Sequence, residues 1–210
     1  MWCPSGPYAR NETEVSCMPK RNTGFSLTEL VVALAVAMIL MAVSLPAFLR
    51  AYRSYQLTAA ATQMADILRL TRYEAIRLNT PVNCVVQTTA GDPTARVAWS
   101  DSNGNGTQDP TEKMILLGAA GSLVDAGTVP GAATLITAAK ITSGTVLPPA
   151  SGSVVAFDAR GAVIPPTNVT VFYLSSSLAP DAGYRAVLLM PAGSIQIWTA
   201  DTTGQWRPLR

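Results

Sequence analysis

The sequence contains no histidine among its 210 residues, and only 13% of them are charged. Without an imidazole, the chain can form neither a Ser-His-Asp or Cys-His nucleophile nor a histidine-ligated zinc site. The formal net charge of +2 is too small for a binder that depends strongly on nucleic-acid electrostatics. No carboxylate pair, phosphate loop or nucleophile–base spacing is present, so we predict a protein that is not an enzyme and needs no cofactor.

Cysteine is also scarce. Cys3, Cys17 and Cys84 are too few and too scattered for a disulfide scaffold or a four-cysteine metal site, so no metal site is firmly assigned. Charged residues usually make up about a quarter of a soluble protein. The low charge, beside 49% hydrophobic residues, indicates that part of the chain lies outside water.

That part is an apolar run near the N-terminus. Residues 30–45 read LVVALAVAMILMAVSL, and the whole apolar stretch covers residues 25–49 with Glu29 as its only charge. About 20 apolar residues span a bilayer as a helix. We therefore expect a transmembrane helix over 25–49. A simple signal anchor, or a signal peptide cut near Ala47, is the alternative.

A short basic segment precedes the run. The letters KRNTG at residues 20–24 are followed by FSLTE at residues 25–29. This segment resembles the signal of type IV pilins and pseudopilins. The resemblance implies that a prepilin peptidase cuts between Gly24 and Phe25 and that Phe25 is then N-methylated. It also implies one pass through the inner membrane, with the C-terminal domain in the periplasm. Because a 24-residue leader is long, we expect translation to start at Met18, with residues 1–17 an extension of the gene model.

Glu29 is an acid inside an apolar helix and needs an explanation. An ionised side chain at the bilayer centre costs at least about 2.5 kcal/mol, so a partner is expected. Ser26 and Glu29 have the spacing of a capping box, which would give the carboxylate a purely local role. The resemblance implies instead that Glu29 pairs with the amine of Phe25 on a neighbouring subunit during assembly. Both can hold at different stages.

Helical periodicity continues through residues 50–80. One apolar stripe recurs at helical spacing and consists of Met64, Ile67, Leu68, Thr71, Ala75 and Leu78. The stripe predicts an amphipathic helix that buries one face on the domain that follows. The helix should end at residues 79–80, because Pro81 restricts the residue before it. Pro46 is expected to kink the helix or melt it locally.

Beyond Pro81 the periodicity changes to two, which predicts a β-rich domain over residues 81–210. Eight strands are predicted: 82–88, 96–100, 113–117, 135–142, 154–158, 169–175, 184–190 and 194–199. The last two should form a hairpin, and residues 118–131 are expected to be a loop. The predicted fold class is α+β and pilin-like. A long N-terminal helix would carry an antiparallel sheet on its C-terminal half.

Several short motifs resemble the GspH/FimT family of minor pseudopilins. They lie at 69–82 (RLTRYEAIRLNTPV), 99–106 (WSDSNGNG), 157–161 (FDARG) and 185–193 (RAVLLMPAG). The resemblance implies a minor, tip-associated subunit of a type II secretion pseudopilus. Its partners would be the prepilin peptidase, other major and minor pseudopilins and the inner membrane, with secreted proteins as further candidates. Two alternatives stay open: a FimT-like minor pilin of a type IV pilus that serves DNA uptake, and a signal-anchored or secreted β-domain of unrelated role.

The loop that follows the second predicted strand is a candidate calcium site. It fits the EF-hand loop expression, with Asp101, Asn103, Asn105 and Glu112 as side-chain donors and Thr107 as a carbonyl donor. However, its flanks are predicted strands, and two of the four side-chain donors are neutral amides. A polar hairpin loop with Asn-Gly turns explains the same residues.

The C-terminus is basic and aromatic. Arg207 and Arg210 lie next to Trp206, and such groups can contact nucleic acid by phosphate pairing and stacking. Two arginines give little electrostatic affinity, and a solvated tail explains them equally. DNA is therefore an unlikely partner on these grounds.

Overall fold

The structure is a computed structural model that describes residues 26–89, 92–141, 144–146, 153–166 and 169–209. The predicted leader, the cleavage pair Gly24 and Phe25, and Arg210 lie outside these residues. The chain divides into two compact units, Met1–Val43 and Ser44–Arg210.

The first helix, α1, covers Leu27–Leu78 and contains Pro46 without interruption, so the expected local melting is not found. Every residue from 27 to 43 is exposed, and nearly all of them are apolar. By length and composition this helix can cross a membrane. The predicted apolar helix is therefore confirmed.

In the second unit, α1 buries one face on the β-rich domain. The buried residues are Leu57, Ala60, Ala61, Met64, Ala65, Ile67, Leu68, Thr71 and Ala75. Leu78, which the stripe included, is 38% exposed, so that part of the prediction is wrong. The helix ends there in a Schellman cap. Thr80 N–H donates to the carbonyl oxygen of Ala75, and Asn79 N–H donates to the carbonyl oxygen of Ile76. Asn79 has a φ of 52°, a left-handed conformation that asparagine tolerates.

The β-domain contains two sheets, where the sequence predicted one. The first sheet has the order β3-β2-β1-β6-β7 and is antiparallel throughout. Its strands are β1 Val82–Thr89, β2 Asp92–Asp101, β3 Met114–Leu117, β6 Ser153–Phe157 and β7 Val163–Ile164.

The second sheet has the order β11-β10-β9-β8-β4, and β5 pairs in parallel with β8. Its strands are β4 Ser122–Val124, β5 Gly144–Val146, β8 Val169–Ser175, β9 Tyr184–Leu189, β10 Ile195–Ala200 and β11 Trp206–Pro208. The predicted hairpin is confirmed, since β9 and β10 pair antiparallel around a tight turn closed by Met190 and Gly193.

Both sheets contribute side chains to one core around α1. Cys84 and Phe157 come from the first sheet, and Phe172, Val187 and Leu189 come from the second. The other face of the second sheet packs against a short helix, α2, Ala132–Ala138. Because β8 and β9 are covered on both faces, they are buried at nearly every residue rather than at alternate ones.

One predicted element has the wrong type, and four strands were missed. Residues 135–142 were expected to form a strand, but α2 ends at Ala138 and buries only Leu135. Alanine-rich helix propensity and docking on the second sheet outweigh the apparent alternation. β4 lies in the predicted loop 118–131, and the other missed strands are β5, β7 and β11. Each has only two or three residues, too few for a periodic signal.

Candidate functional site

Glu29 lies in the first turn of α1 and carries the only charge between residues 27 and 43. Ser26 Oγ hydrogen-bonds with Thr28 Oγ1 at 2.9 Å. Within the described residues no hydrogen bond joins Ser26 to the Glu29 side chain, so the capping box is not formed there. The carboxylate is exposed and has no described cationic partner, which leaves it open to a group from outside residues 26–209.

A junction at Arg72 brings together three of the sequence motifs, 69–82, 157–161 and 185–193. Arg72 Nε donates to the carbonyl oxygen of Gly161 at 2.9 Å, which ties α1 to the turn between β6 and β7. A Cβ on Gly193, where φ is 79°, would overlap that same carbonyl oxygen. Val163 N–H donates to Pro191 carbonyl at 2.9 Å and joins the two sheets. These motif residues therefore hold α1 and both sheets together and do not form an open binding site.

Asp101 organises the loop between β2 and β3. Its carboxylate is 2% exposed and accepts backbone N–H groups from Gly104 at 2.8 Å, Asn105 at 3.2 Å and Gly106 at 3.1 Å. Both glycines have positive φ angles, 74° and 72°, as Asn-Gly turns require. A buried carboxylate is costly unless it is hydrogen-bonded, and here the loop backbone supplies the donors.

The other candidate calcium donors also bond within the loop. Glu112 accepts the N–H groups of Ser102 at 2.9 Å and Asp109 at 3.1 Å. Asp109, which the sequence analysis did not single out, accepts the side-chain amides of Asn103 at 2.6 Å and Asn105 at 2.9 Å.

Thr107 completes the loop by donating to Asn105 Oδ1 at 2.8 Å through its backbone and 2.9 Å through its hydroxyl. Among the described residues, no three Asp, Glu, Cys or His side chains converge as metal ligands do. The hydrogen bonds therefore account for the loop without a cation. Calcium binding stays a prediction, which calorimetric titration of the protein checks; no heat and no change in melting at millimolar calcium would remove it.

The candidate DNA contact is only half described. Arg207 lies exposed on the edge strand β11, and Arg210 is outside the described residues. The neighbouring indole is engaged in the fold, because Trp206 Nε1 donates to Gly131 carbonyl at 2.9 Å and its ring packs 5.7 Å from that of Tyr173. An indole held in this way is not free to stack on a nucleobase.

Arg185 is a buried cationic residue to which the sequence analysis assigned no role. It is 5% exposed, and its guanidinium reaches α1, where Nη2 donates to Ser54 Oγ at 2.8 Å and Nε to Thr58 Oγ1 at 3.0 Å. Nη1 donates to the carbonyls of Tyr184 at 3.0 Å and Ala182 at 3.4 Å. No carboxylate pairs with it among the described residues. Burial, followed by the nearby charge of Arg207, lowers the pKa of Arg185.

Two sequence profiles of known protein families match the chain. The sequence profile described as "Prokaryotic N-terminal methylation motif" matches residues 19–45, and the one described as "Type II transport protein GspH" matches residues 60–193. No curated protein sequence matches the chain.

Two crystal structures of the type IV minor pilin FimU from Pseudomonas aeruginosa PAO1 are similar to this one. The first has 15% identity and a TM-score of 0.44, and the match covers 74% of this chain and 94% of FimU. The second has 16% identity and a TM-score of 0.43, with 73% and 98% covered.

The GspH profile extends from the buried half of α1 through both sheets to the turn between β9 and β10. It therefore includes the Arg72 junction and the Asp101 loop. The methylation motif covers the basic segment, Glu29 and most of the apolar run. The chain belongs to the Type II transport protein GspH family, a family of type IV pilin-like minor pseudopilins.

Proposed function

We propose that this protein is a minor pseudopilin of the type II secretion pathway. The precursor is cut between Gly24 and Phe25, methylated on Phe25 and held in the inner membrane by residues 25–49. It then joins a periplasmic fibre by lateral packing of apolar helices, and its β-domain contacts other subunits or secreted proteins. The observation that carries membrane anchorage and assembly is a helix exposed at every residue from 27 to 43, with Glu29 as its only charge. The match of the GspH profile to residues 60–193 favours the secretion pathway over a pilus.

Glu29 gives this helix a reason to associate. Lipid tails are as apolar as leucine side chains, so apolar packing alone gives a helix little preference for a neighbour over lipid. An unpaired carboxylate costs at least about 2.5 kcal/mol at the bilayer centre and less near the helix end, where Glu29 lies, and pairing with a cation relieves that cost. The freed amine of Phe25 on a neighbouring subunit would be the partner cation. Because Phe25 precedes Glu29 by four residues, or about 6 Å of helix, the neighbour would be displaced by about that distance along the helix axis. Assembly would thus be selected by one ion pair and stabilised by helix packing.

Gene deletion followed by complementation tests this proposal. Deletion should abolish export of secreted proteins through the outer membrane and leave surface pili intact. The wild-type gene should restore export, whereas Glu29→Gln should restore it poorly and leave the subunit in the membrane fraction.

The matched control is Asp66→Asn, which removes an exposed carboxylate from the same helix, where it pairs with Arg69 at 2.7 Å. This variant should restore export fully. Loss of pili with normal export would contradict the proposal and assign the chain to a type IV pilus. Normal incorporation of Glu29→Gln would refute the role of the carboxylate.

A further inference from the structure

One end of the second unit lies against residues 50–58 of α1. The start of β9 reaches the helix there through the bonds of Arg185 with Ser54 and Thr58. The connection between β8 and β9 reaches it through Asp181, whose Oδ2 is 4.0 Å from Arg50 Nε. Arg50 directly follows Leu49, the last residue of the apolar stretch. Residues 199–207 belong to the same end, because Thr199 and Ala200 pair with Arg185 and Tyr184, and Thr199 also pairs with Arg207. We call this end the basal surface, formed by residues 50–58, 176–185 and 199–207.

The basal surface carries more arginine than acid. Its exposed charged residues are Arg50, Arg53 and Arg207 against Asp181 and Asp201. Arg185 lies beneath them, 5% exposed and engaged by hydrogen bonds within the fold. Arg50 and Arg53 precede the buried Leu57 by seven and four residues, so they lie on the helix face that meets the domain. Arg185 and Arg207 are both in register with Thr199, which places them on the same face of the sheet, two strands or about 10 Å apart.

Among the described residues, neither acid forms a close ion pair with these arginines. Asp201 Oδ1 accepts the N–H groups of Thr203 at 2.9 Å and Gln205 at 3.2 Å, so it is engaged in its own turn. Asp181 and Arg50 form a long pair between side chains that are 55% and 76% exposed, and such pairs contribute little. Within the described ranges, Arg53 and Arg207 are exposed and pair with no acid.

Apolar and aromatic side chains accompany the arginines. Leu178, in the connection between β8 and β9, is 60% exposed, and Tyr52 on α1 is 51% exposed. Phe48 stacks on Tyr52 with ring centroids 6.4 Å apart, at the junction between the apolar stretch and the basal surface. Tyrosine at this position, with arginine beside it, is typical of the boundary between hydrocarbon and water.

We infer that the basal surface binds the phosphate groups of anionic phospholipids while the protein is held in the membrane. The inference rests on the proposed function, since it needs residues 25–49 to lie in a bilayer. Charge complementarity carries it, because an excess of arginine follows the apolar stretch within nine residues, about 13 Å of helix. Guanidinium groups suit phosphate oxygens, and basic residues near an anionic surface are attracted to it. This contact would hold the domain on the lipid surface until the subunit leaves for the fibre.

Hydrogen exchange of the full chain in lipid nanodiscs tests the inference. One disc contains phosphatidylcholine alone, and the other contains 30% phosphatidylglycerol. Exchange of the backbone amides at 176–185 and 201–209 should be at least about fivefold slower in the anionic disc, the effect expected for one arginine at a charged surface. Added 0.5 M salt should remove the difference. The double variant Arg53→Gln with Arg207→Gln should remove it as well, and both side chains are exposed, so the fold is kept.

Arg160→Gln is the matched control. Arg160 is exposed in the turn held by Arg72. Arg72 follows Arg53 by about 20 residues, or about 30 Å of helix, so Arg160 lies far from the basal surface and its variant should behave like the wild type. Equal exchange in both discs would overturn the inference. Slowing that is also present in the neutral disc, and that survives salt and the double variant, would show apolar contact instead and equally overturn it.

Protection that appears only when DNA is added would refute the lipid assignment in favour of nucleic acid. A chain that enters neither disc would overturn the proposed membrane anchorage and, with it, this inference. A chain that enters both discs without any difference in exchange would refute only the lipid contact.

Discussion

Replacement of Arg185 by methionine should destabilise the β-domain by about 3 kcal/mol. All five N–H groups of the guanidinium have acceptors within 3.4 Å, on Ser54, Thr58, Ala182 and Tyr184. Hydrogen bonds from a charged donor contribute about 1.5–3 kcal/mol each, and the uncompensated burial of the charge offsets part of the total. Methionine keeps the length of the side chain but leaves the Ser54 hydroxyl without its donor.

Thermal unfolding of the full chain in detergent micelles measures the effect. Near-ultraviolet circular dichroism reports on the second unit, because Trp99, Trp198 and Trp206 all lie there. For a domain of this size, 1 kcal/mol shifts the melting temperature by about 2–4 °C, so Arg185→Met should melt about 6–12 °C lower. Arg185→Lys keeps the charge but has fewer hydrogen-bond donors, so its melting temperature should lie between those of the wild type and Arg185→Met.

Arg160→Met is the control for this experiment, because Arg160 is exposed and its loss should shift the melting temperature by less than about 2 °C. A shift for Arg185→Met no larger than that of the control would refute the reasoning. It would mean that the desolvation of the guanidinium cancels the hydrogen bonds to α1.

Two further predictions concern buried positions. Gly193→Ala should lower the free energy of unfolding by at least about 3 kcal/mol, because its φ is 79° and a Cβ would overlap the Gly161 carbonyl oxygen. Gly104 has a φ of 74° but lies in open space, so Gly104→Ala should lower it by only about 1 kcal/mol. Equal losses for the two variants in chemical denaturation would contradict this. Burial raises the pKa of the Cys84 thiol to about 12 from its ordinary 9.0. As pH rises, the thiol therefore loses its proton in the unfolded state before it does so in the folded state, and the free energy of unfolding should fall above about pH 9. The fall should be smaller in Cys84→Ala, which has no thiol. Identical pH profiles for the two proteins would rule this out.

The elements that local chemistry determines were predictable. The end of α1 follows from Pro81 and a left-handed Asn79, which close the helix within three residues. Every strand of four or more residues was predicted, and β9 and β10 are separated by a turn with Gly193 at a φ of 79°. Glu29 stands out in the sequence because it is the only acid in an apolar run, and its role in assembly stays a prediction.

The elements that depend on distant contacts were not predictable. The division into two sheets depends on which strands pair, and strands as short as β7 leave no pattern to read. Residues 132–138 form a helix because the second sheet offers a face to cover, which the local sequence does not show.

Arg185 had a signal that was not used. It precedes Val187 and Leu189 by two and four residues in the same strand, so all three side chains lie on the face that packs on α1. An arginine in the inward register of a strand is a candidate buried cation, and its acceptors can be sought on the element it faces. Asp109 had no such signal, because its role depends on how the loop brings it to the amides of Asn103 and Asn105.

Mass spectrometry of the N-terminus of the protein extracted from membranes tests the proposed processing. We expect a mature chain that begins at Phe25 and carries one N-methyl group. A chain that begins at Ala47, or a precursor that is never cut, would contradict both the processing and the assembly that Glu29 is proposed to direct.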